Sequence, residues 1–170
     1  MPYIGANRSK LRHLGSYTEM IKVLFICHGN ICRSPAALYL FRDKIRREGL
    51  EACFQASSAA TSAEELGNPV YPPMRRELGR RGIDCSGHRA RRITEADYDN
   101  FDYLVIMDER NRRNMLRFYG GDPEGKIRTL LSFTAADGEI PDPWYTGDFE
   151  GVCDAIETGL RGLIDTLLPS

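Results

Sequence analysis

Apolar positions along the chain follow two alternating rhythms. Short runs rich in β-branched and aromatic residues read as strands over Lys22 to Cys27, Phe54 to Ala59, Tyr103 to Met107 and Lys126 to Leu130. Between them, apolar residues spaced three and four apart predict helices over Pro35 to Glu48, Pro72 to Arg81, part of Thr94 to Tyr98, Glu109 to Phe118 and Phe149 to Leu168. The last is the clearest, with Val152, Ile156, Leu160, Leu163, Ile164 and Leu167 on one face. The first helix carries Ala37, Leu38, Leu40, Phe41 and Ile45, stops at Gly49, and takes Ser34-Pro35 as its expected N-cap and first-turn proline. Alternation of this kind predicts an α/β fold, a parallel sheet covered by helices on both sides, with the ligand site at the carboxyl ends of the strands.

Composition narrows the class. At 170 residues, 42% hydrophobic and 28% charged, the chain suits one domain. Its net charge of −1 gives no global basic field, so nucleic acid and membrane surfaces are not expected partners. No run approaches the roughly 18 apolar residues of a membrane span. Five cysteines without an apolar signal segment point to a reducing compartment, the cytoplasm. The basic stretch from Arg75 to Arg92 reads as solvated surface rather than as a steering patch for an acidic phosphoprotein. Residues 1–20, with Arg8, Lys10, Arg12 and His13, read as a flexible N-terminal extension to a domain spanning 21–168.

The chemistry is concentrated directly after the first strand. Residues 27–34 read Cys-His-Gly-Asn-Ile-Cys-Arg-Ser, joining the strand end to a helix start through Gly29 and Asn30, residue types that tolerate unusual backbone angles. A helix N-terminus offers unpaired N–H groups and the positive end of a dipole, both suited to a dianion. The same field favours a thiolate over a thiol, which makes Cys27 the expected nucleophile. Arg33 has the planar fork of donors that can grip two phosphoryl oxygens at once. A zinc site is a poor fit, because Cys53, Cys85 and Cys153 supply no second close pair. No Gly-Lys-Ser/Thr closes the loop, so it is not a nucleotide-binding P-loop.

This run, with Val23-Leu24-Phe25-Ile26 before it and Pro35 after it, resembles the signature loop of the low-molecular-weight protein tyrosine phosphatases. The resemblance extends from about Ile21 to about Leu168 through Ser57 to Ser62, His88 to Thr94, Met107-Asp108 with Asn111, and Asp142-Pro143-Trp144-Tyr145. It implies a three-layer α/β/α domain with a four-stranded parallel sheet in the flavodoxin-like order 2-1-3-4. It implies hydrolysis of phosphotyrosine in proteins through a cysteinyl-phosphate, with inorganic phosphate as product and no metal or cofactor. Cys27, Arg33 and Asp142 are then catalytic, with Asp142 as general acid and then base. His28, Gly29, Asn30, Ile31, Cys32 and Ser34 complete the phosphate-binding loop, and Ser58, His88 and Asp108 support it. Trp144 and Tyr145 would receive the substrate ring. The resemblance also suggests that Cys32 forms a protective disulfide with Cys27, and a monomer is favoured.

Rival readings share the scaffold. Arsenate reductases of the thioredoxin-coupled type need further redox cysteines late in the chain, and Cys85 and Cys153 form no close pair. Protein-arginine phosphatases resemble this loop with threonine at the position of Ile31, whose apolar group suits an aryl ester better. A phosphoprotein-binding module without turnover is argued against by Cys27, Arg33 and Asp142 together. His28 and Glu64 depart from the family pattern at the pocket rim, where two readings stand open: a shift of preference among phosphopeptides, or side chains that are simply solvated.

Overall fold

In the computed structural model, which describes residues 19–168, the expected alternation is realised. The elements in order are β1 (Ile21–Cys27), α1 (Arg33–Arg47), β2 (Phe54–Ala60), α2 (Pro72–Arg80), α3 (Glu95–Asn100), β3 (Tyr103–Ile106), α4 (Glu109–Tyr119), β4 (Ile127–Thr129), α5 (Pro143–Thr146) and α6 (Phe149–Leu167). Short 3₁₀ turns occupy Glu51–Cys53 and Leu130–Phe133. The four strands are parallel in the order β2-β1-β3-β4, as expected. The N-terminal extension lies outside the described residues except for Glu19 and Met20.

Each β1 residue but Lys22 is buried, because both faces of a parallel sheet are covered and side chains alternate between them. Val23, Phe25 and Cys27 pack with residues of α1, α2 and α6, including Phe41, Met74, Ile156 and Leu160. Leu24 and Ile26 pack on the other face with Leu104 and Ile106 of β3 and with Tyr98 and Met115 of α3 and α4. β1 is thus clamped from four sides, and its carboxyl end is held where Cys27 begins the loop.

Three local expectations need correction. Ser34 does not cap α1: the N-cap is Cys32, and Arg33 and Ser34 are already helical. The Ser34 hydroxyl is free of capping because the loop winds into the helix two residues early, and it turns to the Cys27 sulfur instead. Gly29 does not need a left-handed backbone; a Cβ there would lie 3.3 Å from Glu65 Cγ, so it is close approach that favours glycine. The fourth strand ends at Thr129, where its continuation folds into the 3₁₀ turn.

The basic stretch from Arg75 to Arg92 is largely spent on structure. Glu77 takes Arg80 at 2.6 Å and Arg81 at 2.8 Å, Arg81 reaches Asp154 and Glu157 on α6, and Arg91 pairs with Asp97. These contacts fasten α2 to α6 and the 88–92 segment to α3.

Candidate active site

Asn30 shapes the loop. Its φ of 57° is left-handed, a region that Asn visits more readily than most residues, and it is fully buried. Its Nδ2 donates to Ser34 Oγ at 2.8 Å and to Ser58 Oγ at 2.9 Å, and its Oδ1 accepts from Arg91 N at 3.1 Å. Its carbonyl accepts from His88 Nε2 at 2.6 Å. Burial pushes the His88 pKa down, against the pull of that hydrogen bond, so the neutral ring with a proton on Nε2 is the form held here.

Two further loop carbonyls are also taken up from outside the loop. His28 O accepts from Ser62 N and Ser62 Oγ, and Ile31 O accepts from Tyr71 N. Among the described residues no acceptor pairs with the amides of Gly29, Asn30, Ile31 or Cys32. Carbonyls bound outward and amides unspent make a nest for an anion.

At the floor of this nest Cys27 is 3% exposed. Its Sγ lies 3.0 Å from Ser34 Oγ and 3.4 Å from Ser34 N. Both can donate to sulfur, and the amide belongs to the first turn of α1, so the helix end stabilises negative charge there.

Arg33 is 3% exposed, and its guanidinium is fixed by two hydrogen bonds of 2.8 Å from Nη1, to Asp108 Oδ2 and to the Ile140 carbonyl. Burial disfavours the charge, but Cys27, Asp108 and Asp142 outweigh it and raise the arginine pKa. Nη2 is left facing Asp142 Oδ2 at 3.7 Å. Asp108 does two jobs: Oδ2 holds Arg33 while Oδ1 accepts from Asn111 N at 2.8 Å and caps α4.

Asp142 and the aromatics sit on the short α5. Asp142 Oδ1 accepts from Trp144 N at 3.0 Å as the N-cap of this helix, which leaves the second carboxylate oxygen aimed at the pocket. Trp144 is 62% and Tyr145 74% exposed, which excludes a core role. Trp144 leans on Tyr71, ring centroids 5.1 Å apart, and Tyr71 contacts Phe149 in turn.

These groups line one pocket of about 500 Å³ with Cys27, Cys32, Arg33, Asp108 and Asp142 below and Tyr71, Trp144 and Tyr145 as its apolar wall. His28, Glu64, Glu65 and Arg110 stand at the same pocket, with His28 Nε2 3.1 Å from Glu64 Oε2. A second cleft of about 450 Å³, between α1 and β2 beside Tyr39 and Arg42, brings together no comparable set. Cys85 and Cys153 are buried in the core and do not line the active-site pocket. The sequence reading missed Tyr71, Arg110, Glu65 and the Ile140 carbonyl. Tyr71 alone left a signal, an aromatic directly before the Pro72-Pro73 helix start.

Comparison with known proteins places this geometry. The family model for low molecular weight phosphotyrosine protein phosphatase matches residues 22–169. The low molecular weight protein-tyrosine-phosphatase YfkJ of Bacillus subtilis is 40% identical over 150 residues, covering 87% of this chain and 96% of that protein. A low molecular weight phosphotyrosine protein phosphatase of Schizosaccharomyces pombe is 39% identical over 136 residues, 76% of this chain and 85% of the relative. The crystal structure of YfkJ superposes with a TM-score of 0.85 at 39% identity, covering 89% of this chain and 96% of the other. A protein tyrosine phosphatase from Entamoeba histolytica, solved with Hepes in its active site, gives 0.80 at 32% identity, covering 86% and 96%.

Proposed function

The chain belongs to the low molecular weight phosphotyrosine protein phosphatase family, and on that footing we propose that it hydrolyses phosphotyrosine in proteins by two phosphoryl transfers through Cys27. In the first, the Cys27 sulfur attacks phosphorus, the P–O bond to the ring breaks, and Asp142 gives its proton to the leaving phenolate. In the second, Asp142, now ionised, takes a proton from water as its oxygen attacks the cysteinyl-phosphate. The S–P bond breaks and inorganic phosphate departs. Arg33 and the unspent loop amides hold the equatorial oxygens through both steps.

The observation that carries this reading is the convergence of Cys27, Arg33 and Asp142 on a single pocket walled by Tyr71, Trp144 and Tyr145. The depth and the aromatic wall suit a phosphate on a long flat ring better than one on serine. Cys85 and Cys153, buried away from the pocket, are badly placed for the relay of a thioredoxin-coupled arsenate reductase.

Cys32 fits a protective role. Burial, then the charges of Cys27 and Asp142, raise its pKa, so it stays a thiol and leaves Cys27 as the nucleophile. After peroxide converts Cys27 to a sulfenic acid, the Cys32 sulfur would displace water and close a disulfide. Free-thiolate chemistry suits a reducing compartment such as the cytoplasm, and no helix among the described residues is long and apolar enough to cross a membrane.

The test is turnover of phosphotyrosine, phosphoserine and phosphoarginine peptides, and of p-nitrophenyl phosphate, by wild type and Cys27→Ser, with and without chelator. Release from the aryl substrates by wild type alone, indifferent to chelator, is expected. Faster release from phosphoarginine, or turnover that survives Cys27→Ser, refutes the assignment.

A further inference from the structure

The mouth of the pocket is electrically lopsided, and the sheet order explains why. β1 delivers the phosphate loop, with β2 on one side and β3 on the other. Neighbouring strands are about 4.8 Å apart, so the segments that follow β2 and β3 flank the loop roughly 10 Å from each other. After β2 come Glu64 and Glu65. Glu65 lies against Gly29, while Glu64, its side chain 69% exposed, reaches only His28.

After β3 comes α4, and its exposed face carries Arg110, Arg113 and Arg117. At 3.6 residues per turn these three fall within an arc of about 60° and extend roughly 10 Å along the axis. Arg110 lines the pocket, so the stripe starts at the mouth and leads away from it. None of the three has an acidic partner among the described residues, although acids are at hand: Glu109 is taken by Arg112 at 2.8 Å, and Glu139 accepts from Glu109 N at 2.7 Å. Some arginines elsewhere, Arg81 and Arg91 among them, are paired with acids.

We propose that Arg110, Arg113 and Arg117 form a docking stripe for acidic residues on one flank of the phosphotyrosine, with Glu64 and Glu65 disfavouring acid on the other. The proposal rests on the phosphatase reading and deepens it by naming a substrate class. Charge complementarity supports it: three uncompensated guanidinium groups continuous with the pocket match a short run of Asp and Glu, and the ring seated in the wall fixes which flank meets them. An extended peptide rises about 3.3 Å per residue, so the stripe spans about three side chains beyond the phosphotyrosine.

The experiment measures kcat/KM for three phosphotyrosine peptides of equal length: acidic before the tyrosine, acidic after it, and neutral. At low salt, one acidic peptide should exceed the neutral one about tenfold, the scale of three exposed charge pairs, and the other should not. The ratio should fall towards one in Arg113→Glu/Arg117→Glu and, less steeply, in Arg113→Gln/Arg117→Gln. Equal values for all three peptides, equal gains for both acidic ones, or a preference untouched by the double substitutions overturns the proposal. p-Nitrophenyl phosphate, which has no flanks, separates the failures: turnover of it with flat peptide values sinks only the docking stripe. No turnover of any of the four substrates by wild type sinks the phosphatase reading itself.

Discussion

Replacing Asn30 with alanine should destabilise the protein by about 4 kcal/mol, and comparison with Asn30→Gly divides that figure. Alanine removes three side-chain hydrogen bonds, two of them buried, to Ser34 and to Ser58, and one partly buried, from Arg91 N. At about 1 kcal/mol net apiece these amount to about 3 kcal/mol. Holding alanine at the left-handed φ of 57° adds about 1 kcal/mol. Glycine adopts that φ freely but also gains freedom in the unfolded chain, so Asn30→Gly should recover only part of the last term and none of the bonds. Urea unfolding at pH 7.5 reads both, and at roughly 2–4 °C per kcal/mol the alanine variant should melt about 10 °C or more below wild type. Turnover of p-nitrophenyl phosphate should drop in both variants, because Ser34, which faces the Cys27 sulfur, loses its own anchor. If Asn30→Gly matches wild type within about 0.5 kcal/mol and in kcat, only backbone conformation matters and the network is irrelevant.

Further outcomes follow from the same geometry. Arg33→Lys keeps a charge but cannot serve Asp108, Ile140 O and two phosphoryl oxygens at once, so aryl phosphatase kcat should fall about 10³-fold, and retention of a tenth of wild-type activity contradicts the bidentate role. Asp142→Asn should lower kcat/KM, which reports only the first transfer, by roughly 10²- to 10⁴-fold on phenyl phosphate but much less on p-nitrophenyl phosphate, whose leaving group departs without a proton; equal losses in kcat/KM on both would remove Asp142 as the acid. Burial lowers the His88 pKa, so the unfolded chain takes up that proton more readily than the folded one. Its stabilisation is therefore complete above about pH 6.5 and declines as the pH falls below that value. The stability gap between wild type and His88→Gln should narrow between pH 7.5 and 5.5, and a gap that stays constant in urea titrations shows that His88 is not the titrating group.

Much of this was legible in the sequence because the relevant signals are local. From Val23 to Cys27 the β1 run is apolar throughout, which only a strand covered on both faces requires, and the 3.6-residue stripe of α6 names its buried face. The meeting of Cys27, Arg33 and Asp142 in one pocket was legible from the loop that follows β1 and, for Asp142, from the family resemblance. Other features depend on contacts across long stretches of chain. That Arg33 would bond the Ile140 carbonyl, a backbone atom, leaves no trace in residue identity. Arg110 looked like any helix arginine until the sheet order put the start of α4 beside the loop. The Arg75–Arg92 stretch shows the reverse: dense in sequence, it is dispersed by Glu77, Asp97 and Asp154 into structural pairs. Ser34 misled because Ser-Pro is a common helix start, whereas the loop here enters the helix at Arg33.

The phosphate loop draws its outer contacts from remote parts of the chain. His28 is held from 34 residues away, Asn30 from 58, and Arg33 from 75 and 107. Contacts between such distant positions form only after the intervening chain has been ordered. The nest is thus expected to assemble last during folding, when every layer is already docked. In a refolding experiment helical signal should return before enzymatic turnover, and the catalytic rate becomes a stringent gauge of complete assembly, more demanding than any spectroscopic measure of secondary structure.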